Sequence, residues 1–464
     1  MQVPALGQKP KMPLLIAITL YFMLFFCFTF PKAGIKIADI PVTVSDILFL
    51  LLILFSLTRI TCWRETFFHN KTVIILMMIF ACYATLKLGY SYWHYDLLNI
   101  GVIVPLLVYP VIFLILLLFD RLYSIPWEKM LLIPVIAFII LSVYALLQYF
   151  LGIETVMIPG LTYNWTDAQN PLILVEKKNY YGPYTKIFST YQNGNIFGVN
   201  LLLLFPLVFE LLYDRRKSLG YIALGFFITV AFHTASRAVW AAVLCYVLIR
   251  FLLFKQGLKK LTVIFPLSFI TALLLFVEQL RSRVSNLLGK DSIPRIIKVS
   301  YTENFAKHAP VPDTIDWWVD QPQIKNLSGR EEGIFKLWEA TFGTLNWGAI
   351  FLGPYGILPR SSYSIVGEML YAAVFAYLGL IGLILWSLPV LFSLYNFYKL
   401  RGDYIVRGIL LGLVGYFIAA VMEGAYWVSP TAFNLWLIIG IGWIRWHSIK
   451  GKMKLDSTAS TFER

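Results

Sequence analysis

The sequence predicts an all-α polytopic membrane protein with about twelve transmembrane helices and one large, partly helical extracytoplasmic loop. Of its 464 residues, 59% are hydrophobic and 14% are charged, whereas soluble proteins carry roughly 25% charged residues. Apolar runs near the ~20 residues that cross a bilayer recur along the whole chain. The runs are continuous and do not alternate with polar residues, which favours helices over the strands of a barrel.

The predicted spans follow these apolar runs in chain order. They cover residues 13–30, 46–60, 72–89, 98–119, 131–151, 196–213, 220–235, 238–254, 261–278, 369–397, 406–422 and 431–446. Two of the connecting segments are long, 152–195 and 279–368. Within the second, residues 333–342 have the periodicity of an amphipathic helix, and residues 352–356 have turn-forming glycine and proline.

Basic residues concentrate in every second connecting segment. With a cytoplasmic N-terminus, the inner segments include Lys9 and Lys11, Arg215 to Lys217, Lys259 and Lys260, and Lys450 to Lys454. This asymmetry predicts that both termini are cytoplasmic and that the two long segments face outward. It also accounts for the formal net charge of +14, so we predict no nucleic-acid partner.

Three ionisable residues near the predicted outer surface are candidates for chemistry, because such groups are costly beside lipid. Arg237 lies between two apolar runs with almost no loop, where the alternative is an arginine that extends to the headgroups. Arg330 precedes the amphipathic segment, where the alternative is pairing with a neighbouring glutamate. Glu368 begins an apolar run, and is either a general base or a carboxylate that complements a helix dipole.

Cofactor and metal motifs do not occur in the sequence. The five histidines lack metal-ligand spacing, and the four cysteines lie in or beside apolar runs without a disulfide or metal pattern. A phosphate-binding P-loop and a dinucleotide fingerprint do not occur either. We therefore predict neither a metal nor a cofactor.

Four segments in order carry a family resemblance. They read TYQNGNIFG at 190–198, TASRAVW at 234–240, SGR at 328–330, and EMLY at 368–371 followed by LGLIG at 378–382. Together they resemble the O-antigen ligase and polymerase superfamily of bacterial envelope glycosyltransferases, over about residues 190–385. On this basis the chain divides into N-terminal helices and a first outer loop (1–189), a catalytic core (190–385) and C-terminal helices with a cytoplasmic tail (386–464).

Two departures from the family pattern bear on the reaction. Glu368 stands where ligases carry a histidine, and Tyr377 matches the glutamate that precedes the first glycine of the last motif. Ligases depend on that histidine, whereas a glutamate retains the ability to act as a base. The resemblance therefore favours a polymerase of the Wzy type over a ligase.

The resemblance implies a substrate and a mechanism. The substrate is an oligosaccharide on polyprenyl diphosphate at the outer face of the bacterial cytoplasmic membrane, and no nucleotide or metal is needed there. Glu368 deprotonates the acceptor hydroxyl, and Arg237 and Arg330 are catalytic through the charge on the leaving diphosphate. The implied residues for binding diphosphate or sugar are Arg237, Arg330, Arg360, Asn195 and Tyr371. A chain-length regulator and a flippase are the implied protein partners.

Three other functions compete with a polymerase. A ligase moves finished glycan to a terminal acceptor. A lipid-linked sugar transporter is the second, although such proteins usually show repeated halves, and no internal repeat is visible here. A structural scaffold is the third, but it does not explain Arg237 and Arg330 in their motifs.

Overall fold

The structure of the chain is a computed structural model, and helices account for most of the residues that it describes. It describes residues 9–37, 40–95, 100–162, 180–181, 184–191, 193–234, 236–253, 329–358, 369–421, 423, 426 and 431–462. The predicted span 261–278, most of the predicted long loop, Arg360 and Glu368 lie outside these residues.

The described helices follow the predicted spans closely. In chain order they are α1 (Leu14–Thr29), α2 (Val44–Leu57), α3 (Ile60–His69), α4 (Lys71–Tyr95), α5 (Ile100–Ile103), α6 (Val111–Leu122), α7 (Trp127–Met130), α8 (Leu132–Leu151), α9 (Ile153–Val156), α10 (Gly194–Arg215), α11 (Lys217–His233), α12 (Arg237–Leu253), α13 (Gly329–Trp338), α14 (Trp347–Leu352), α15 (Leu370–Lys399), α16 (Tyr404–Ala419) and α17 (Thr431–Phe462). Two π-helical turns, π1 (Val104–Val108) and π2 (Glu339–Gly343), interrupt the series. Each predicted span within the described residues is largely helical, with breaks inside 46–60 and 98–119.

The length and composition of several helices are those of membrane spans. Five described helices are long and apolar enough to cross a bilayer, and a sixth span results if the bent pair α2 and α3 is counted as one. The five cover Lys71–Tyr95, Val104–Leu122, Leu132–Leu151, Gly194–Arg215 and Leu370–Lys399. Among the described helices, α1, α11, α16 and the part of α12 from Ala238 to Arg250 are apolar but shorter. The chain thus has the character of an α-helical membrane protein, and the number twelve stays a prediction.

The predicted helix 98–119 differs from the observed backbone. The chain forms α5, then π1, and α6 begins only after Pro110. Proline has no backbone N–H and cannot continue the hydrogen-bond ladder of a preceding helix. Pro105 lies within π1 and Pro110 caps α6, so the two prolines explain why one apolar run gives a broken helix.

Two short strand pairs were not predicted. β1 (Gly34–Ile37) pairs antiparallel with β2 (Ile40–Thr43), and β3 (Tyr180–Tyr181) pairs with β4 (Tyr184–Thr185). Thr43 ends β2 and also caps α2 through a capping box with Asp46. Hairpins this short carry little hydrophobic periodicity, so the sequence pattern did not reveal them.

The centre of the bundle is α10, which is buried along most of its length. Its closest neighbour is α16, where two glycines four residues apart face it. A Cβ atom on Gly408 would lie 2.7 Å from the Leu207 Cα, and one on Gly412 would lie 2.4 Å from the Leu203 carbonyl oxygen. Small residues at this spacing let two apolar helices approach at backbone distance.

Helix α15 is broken at Gly379, where a second segment docks. Gly379 has φ 67° and ψ −170°, a conformation that is essentially restricted to glycine. A Cβ atom there would lie 2.3 Å from the backbone nitrogen of Gly353, the residue that ends α14. The break therefore fixes α14, and with it the described part of the predicted outer loop, against α15.

We expect Gly379→Ala to lower the free energy of unfolding by at least about 2 kcal/mol, because the backbone conformation and the contact with Gly353 both exclude a side chain. Thermal unfolding of the purified protein in detergent measures the effect. Gly225→Ala is the matched control, since a Cβ atom on Gly225 meets nothing within 4 Å and alanine favours helix. Equal melting temperatures for the two variants would show that the break is not required.

Candidate functional site

Three of the four motif segments meet at one end of the helical bundle. The segment that leads into α10 lies against the turn between α11 and α12, and the Ile187 N–H donates to the His233 carbonyl at 3.3 Å. The start of α15 lies against the end of α16, and the Leu370 N–H donates to the Ala420 carbonyl at 3.1 Å. The structure therefore brings together residues that are far apart in the sequence.

The first motif enters α10 through a tight, capped turn. The Asn193 side chain caps the helix by accepting hydrogen bonds from the N–H groups of Asn195 and Ile196 at 2.9 and 3.4 Å. Gly194 has no room for a side chain, because a Cβ atom would lie 2.9 Å from the Thr234 carbonyl oxygen. The asparagine and glycine of this motif thus set the position of the α10 N-terminus.

The segment before this turn is held rigidly in the protein interior. The Gln148 side chain accepts from the N–H groups of Phe188 and Ser189 at 3.1 and 2.7 Å, and donates to the Ser189 carbonyl at 2.9 Å. Thr190 and Tyr191 donate to carbonyl oxygens of Thr29 and Phe28. Tyr191 is buried, so this aromatic ring supports the motif and is not accessible to a sugar.

Glu423 joins the first two motifs directly. Its Oε2 accepts a hydrogen bond from Asn195 Nδ2 at 2.9 Å, and its Oε1 accepts one from Ser236 Oγ at 3.1 Å. Lys186 Nζ donates to Asn195 Oδ1 at 3.1 Å. Glu423 is only 6% exposed, so its carboxylate is held inside the protein. We call Lys186, Asn195, Ser236 and Glu423 the Glu423 cluster.

Ser236 in turn fixes the start of α12. Its hydroxyl lies 3.4 Å from the Val239 N–H, in the position of an N-cap, while it donates to Glu423. Arg237 follows as the first residue of α12, with its Cα about 3.8 Å from that of Ser236. The backbone of Arg237 is therefore anchored to the Glu423 cluster, and its side chain lies outside the described part of the structure.

The electrostatic character of this region follows from its helix ends. The N-termini of α10 and α12 both lie at the Glu423 cluster, and a helix N-terminus carries roughly half a positive charge. Lys186 adds a full positive charge. The Glu423 carboxylate thus lies among several positive groups, which stabilise its negative charge.

The third and fourth motifs are connected to each other through α15. Arg330 is the second residue of α13, which begins at Gly329, four residues before the predicted amphipathic segment 333–342. Helix α13 continues through π2 into the segment that packs on α15, where the rings of Phe342 and Phe375 stack at 6.2 Å. The side chain of Arg330 is outside the described residues, and so are Arg360 and Glu368.

Two predicted substrate-binding residues already have protein partners. The Asn195 side chain bonds to Glu423 and Lys186, and the Tyr371 hydroxyl donates to the Phe417 carbonyl at 3.1 Å. The first contact holds α10 to the segments around Lys186 and Glu423, and the second holds α15 against α16. Asn195 and Tyr371 therefore have positioning roles in this structure, and their contact with substrate stays a prediction.

Lys87 on α4 holds the turn that follows α14. It is buried and donates to the Tyr355 carbonyl, to which the Ser91 hydroxyl also donates at 3.3 Å. The Tyr95 hydroxyl donates to the Ile357 carbonyl at 2.8 Å. These contacts hold a turn in which Gly353 and Gly356 both have positive φ. The described part of the predicted outer segment is therefore held by α4 as well as by α15.

The sequence prediction missed Glu423. The predicted span 406–422 ends one residue before it, and the sequence predicts no role for Glu423. The available signal was an acidic residue directly after an apolar run, which is a functional candidate by default in a membrane protein. Its partners cannot be read from the sequence, because Asn195 is 228 residues away and Ser236 is 187 residues away.

Comparison with known proteins gives no match to this chain, neither among protein-family models nor among curated proteins. The resemblance of its four motifs to the ligase and polymerase superfamily therefore stays a prediction.

Proposed function

We propose that this chain is a membrane glycosyltransferase that polymerises oligosaccharide repeat units carried on polyprenyl diphosphate. The proposal is supported above all by the Glu423 cluster, which joins the first two motifs at one end of an apolar helical bundle. A lipid-linked donor needs a site at the membrane surface with access to lipid. It also needs positive groups that bind diphosphate, and the ends of α10 and α12 supply part of that charge.

In the proposed topology, twelve helices cross the bacterial cytoplasmic membrane and both termini are cytoplasmic. The distribution of lysine and arginine between alternate loops supports this orientation. The Glu423 cluster then lies at the outer face. Repeat units at that face are already activated by their diphosphate, so the reaction needs no nucleotide.

The proposed reaction is a single displacement at the anomeric carbon. Glu368 takes the proton from the acceptor hydroxyl, whose oxygen forms a bond to the anomeric carbon. The bond from that carbon to the diphosphate oxygen breaks, the electron pair leaves with the diphosphate, and the configuration inverts. Arg237 and Arg330, with Arg360 as a third cation, bind the diphosphate and stabilise its developing charge.

The Glu423 cluster has a positioning role in this proposal. Glu423 holds Ser236 and Asn195, and through Ser236 it sets the backbone of Arg237. Displacement of a catalytic group by about 1 Å is enough to cost roughly 100-fold in rate. The buried Glu423 carboxylate therefore contributes to the rate by orienting Arg237, the arginine proposed to bind diphosphate.

A glycan profile of cells tests the proposal. Cells that lack the gene are complemented with wild type, Arg237→Ala, Arg330→Ala or the control Arg216→Ala, which removes an exposed arginine at the other end of α10. We expect single lipid-linked repeats to accumulate in the deletion strain and in the first two variants, and full-length polymer in the control.

Other outcomes of this profile point to other functions. Long chains that stay on their lipid carrier would indicate a ligase. Repeat units that fail to reach the outer face would indicate a transporter. Unchanged polymer length and amount in Arg237→Ala and Arg330→Ala would contradict the diphosphate role of both arginines.

A further inference from the structure

A second candidate site is a cavity at the N-terminal end of α1, whereas the Glu423 cluster lies towards the C-terminal end of that helix. Thr190 contacts Thr29 at the end of α1, whereas this cavity lies beside the segment that precedes Leu14, about 24 Å away along the helix. The cavity has a volume of about 380 Å³, within the range of small-molecule sites. Its wall includes Lys9, His69, Arg121, Tyr123 and His447.

The wall is assembled from four distant parts of the chain. The Ser124 N–H donates to the Pro10 carbonyl at 2.9 Å, and Lys9 Nζ donates to the Asp120 carbonyl, so the N-terminal segment is tied to the end of α6. The rings of His69 on α3 and His447 on α17 lie 4.5 Å apart. The cavity is therefore a product of the fold, and not a groove along one helix.

Positive groups outnumber negative groups around this cavity. Lys9 and Arg121 line the cavity. Lys450 flanks it, with its ammonium group 4.1 Å from the centre of the Trp446 ring. The opposing carboxylates are at the outer limit of ion-pair distance from Lys9 and Arg121. Asp120 Oδ2 is 4.0 Å from Lys9 Nζ, and Glu65 Oε2 is 3.8 Å from an Arg121 nitrogen. The two cations thus keep the capacity to bind a further anion.

The surroundings of His447 also indicate a positive potential in the cavity. Asn70 Nδ2 donates to the Thr66 carbonyl at 3.2 Å, so its Oδ1 accepts from His447 Nε2 at 2.7 Å. Burial, together with the smaller effects of the nearby His69, Lys9, Lys450 and Arg121, lowers the pKa of His447 to about 3. His447 is therefore neutral at pH 7, in a region of positive potential.

Tyr123 provides a hydrogen-bond donor without an acceptor. Tyr123 is among the residues that line the cavity, and it is 6% exposed with its hydroxyl enclosed in the wall. Among the residues that the structure describes, none accepts a hydrogen bond from its buried hydroxyl. A buried hydroxyl without a partner costs about 1–3 kcal/mol, and an anionic oxygen in the cavity would supply the acceptor.

We propose that this cavity binds a phosphate group, either free phosphate or the headgroup of an anionic phospholipid. Arg121 and Lys9 provide charge, and Tyr123 provides a directed donor. The cavity lies on the predicted cytoplasmic side, where basic pockets between helices bind anionic headgroups. The inference does not depend on the proposed glycosyltransferase reaction.

Thermal unfolding of the full chain in nanodiscs tests this site. One set of discs contains only phosphatidylcholine and is titrated with sodium phosphate against sodium chloride of equal ionic strength. The other set contains equal amounts of phosphatidylcholine and phosphatidylglycerol. The proteins are wild type, Arg121→Gln, Tyr123→Phe and the control Lys217→Gln, which removes an exposed lysine at the start of α11.

We expect ligand to raise the melting temperature of wild type and Lys217→Gln equally. We expect the apparent affinity to fall about tenfold in Arg121→Gln, as for the loss of one charge-assisted hydrogen bond, and to fall in Tyr123→Phe as well. Without ligand, Tyr123→Phe should be at least as stable as wild type, which separates lost binding from misfolding.

The two sets of discs distinguish the two sources of phosphate. Stabilisation by free phosphate in neutral discs assigns the site to a soluble phosphate. Stabilisation only in discs with phosphatidylglycerol assigns it to a lipid headgroup. If neither ligand stabilises wild type, or if all four proteins respond alike, the site does not exist.

Discussion

Glu210→Gln is expected to lower the free energy of unfolding by about 3–5 kcal/mol, because it leaves the buried Arg250 and the partly buried Arg407 without their counter-charge. Glu210 is fully buried in α10. Its Oε1 lies 2.7 Å from Arg250 Nε, and its Oε2 accepts from Arg407 Nε and Nη2 at 2.9 and 2.6 Å. The three charges connect α10, α12 and α16.

Two further variants separate this effect from ordinary loss of a carboxylate. Asp214→Asn removes an exposed carboxylate one turn further along α10, and we expect a change within about 0.5 kcal/mol. Replacing Glu210, Arg250 and Arg407 together by leucine or methionine removes all three charges, and we expect it to restore much of the stability. Thermal unfolding in detergent measures all three. A Glu210→Gln protein as stable as Asp214→Asn would contradict this account.

Glu423→Gln is expected to reduce glycan polymerisation by roughly 100-fold while the protein still folds, because it misaligns Arg237. The carboxylate accepts from both Asn195 Nδ2 and Ser236 Oγ. A glutamine places an NH₂ group against one of these donors. Asn195 cannot simply rotate its amide to compensate, since its Oδ1 already accepts from Lys186.

Two measurements on Glu423→Gln distinguish misalignment of Arg237 from a loss of protein stability. Asp214→Asn is again the control, since it makes the same carboxylate-to-amide change at the other end of α10. Polymerisation is measured as a function of repeat-unit concentration, alongside the melting temperature. A positioning role predicts a lower turnover rate at saturating substrate with a melting temperature close to that of the control. Loss of activity only in proportion to loss of folded protein would contradict it.

The sequence predicted the helices well because their signal is local. An apolar run of about twenty residues identifies a buried or membrane helix whatever its partners are. The ends of the predicted spans 13–30 and 131–151 differ from those of α1 and α8 by at most one residue. The capped start of α10 at Asn193 was likewise close to the predicted start at residue 196.

Features that depend on distant residues were not predictable in this way. The break at Gly379 reflects contact with Gly353, and the pairing of His69 with His447 joins the two ends of the chain. Glu210 was read as part of an apolar run, because neither Arg250 nor Arg407 is near it in sequence. Each is a contact between helices, which hydrophobic periodicity does not encode.

The candidate site was predicted in part. The motif residues Asn195 and Arg237 belong to segments that meet in the structure, and their roles stay predictions. The carboxylate that joins these segments was missed, because Glu423 lies beyond residue 385, the end of the predicted core. Its role depends on two hydrogen bonds across the bundle, and no pattern around residue 423 indicates them.

The most direct test of the proposed function is polymerisation by the purified protein. The chain is reconstituted in vesicles with one substrate, a polyprenyl-diphosphate-linked repeat unit, without nucleotide sugar, and lipid-linked products are separated by size. We expect a ladder of longer chains and release of polyprenyl diphosphate by wild type, and little of either with Arg237→Ala or Glu368→Gln. Repeat units that stay unextended with folded wild-type protein would contradict the proposal that this chain is a polymerase.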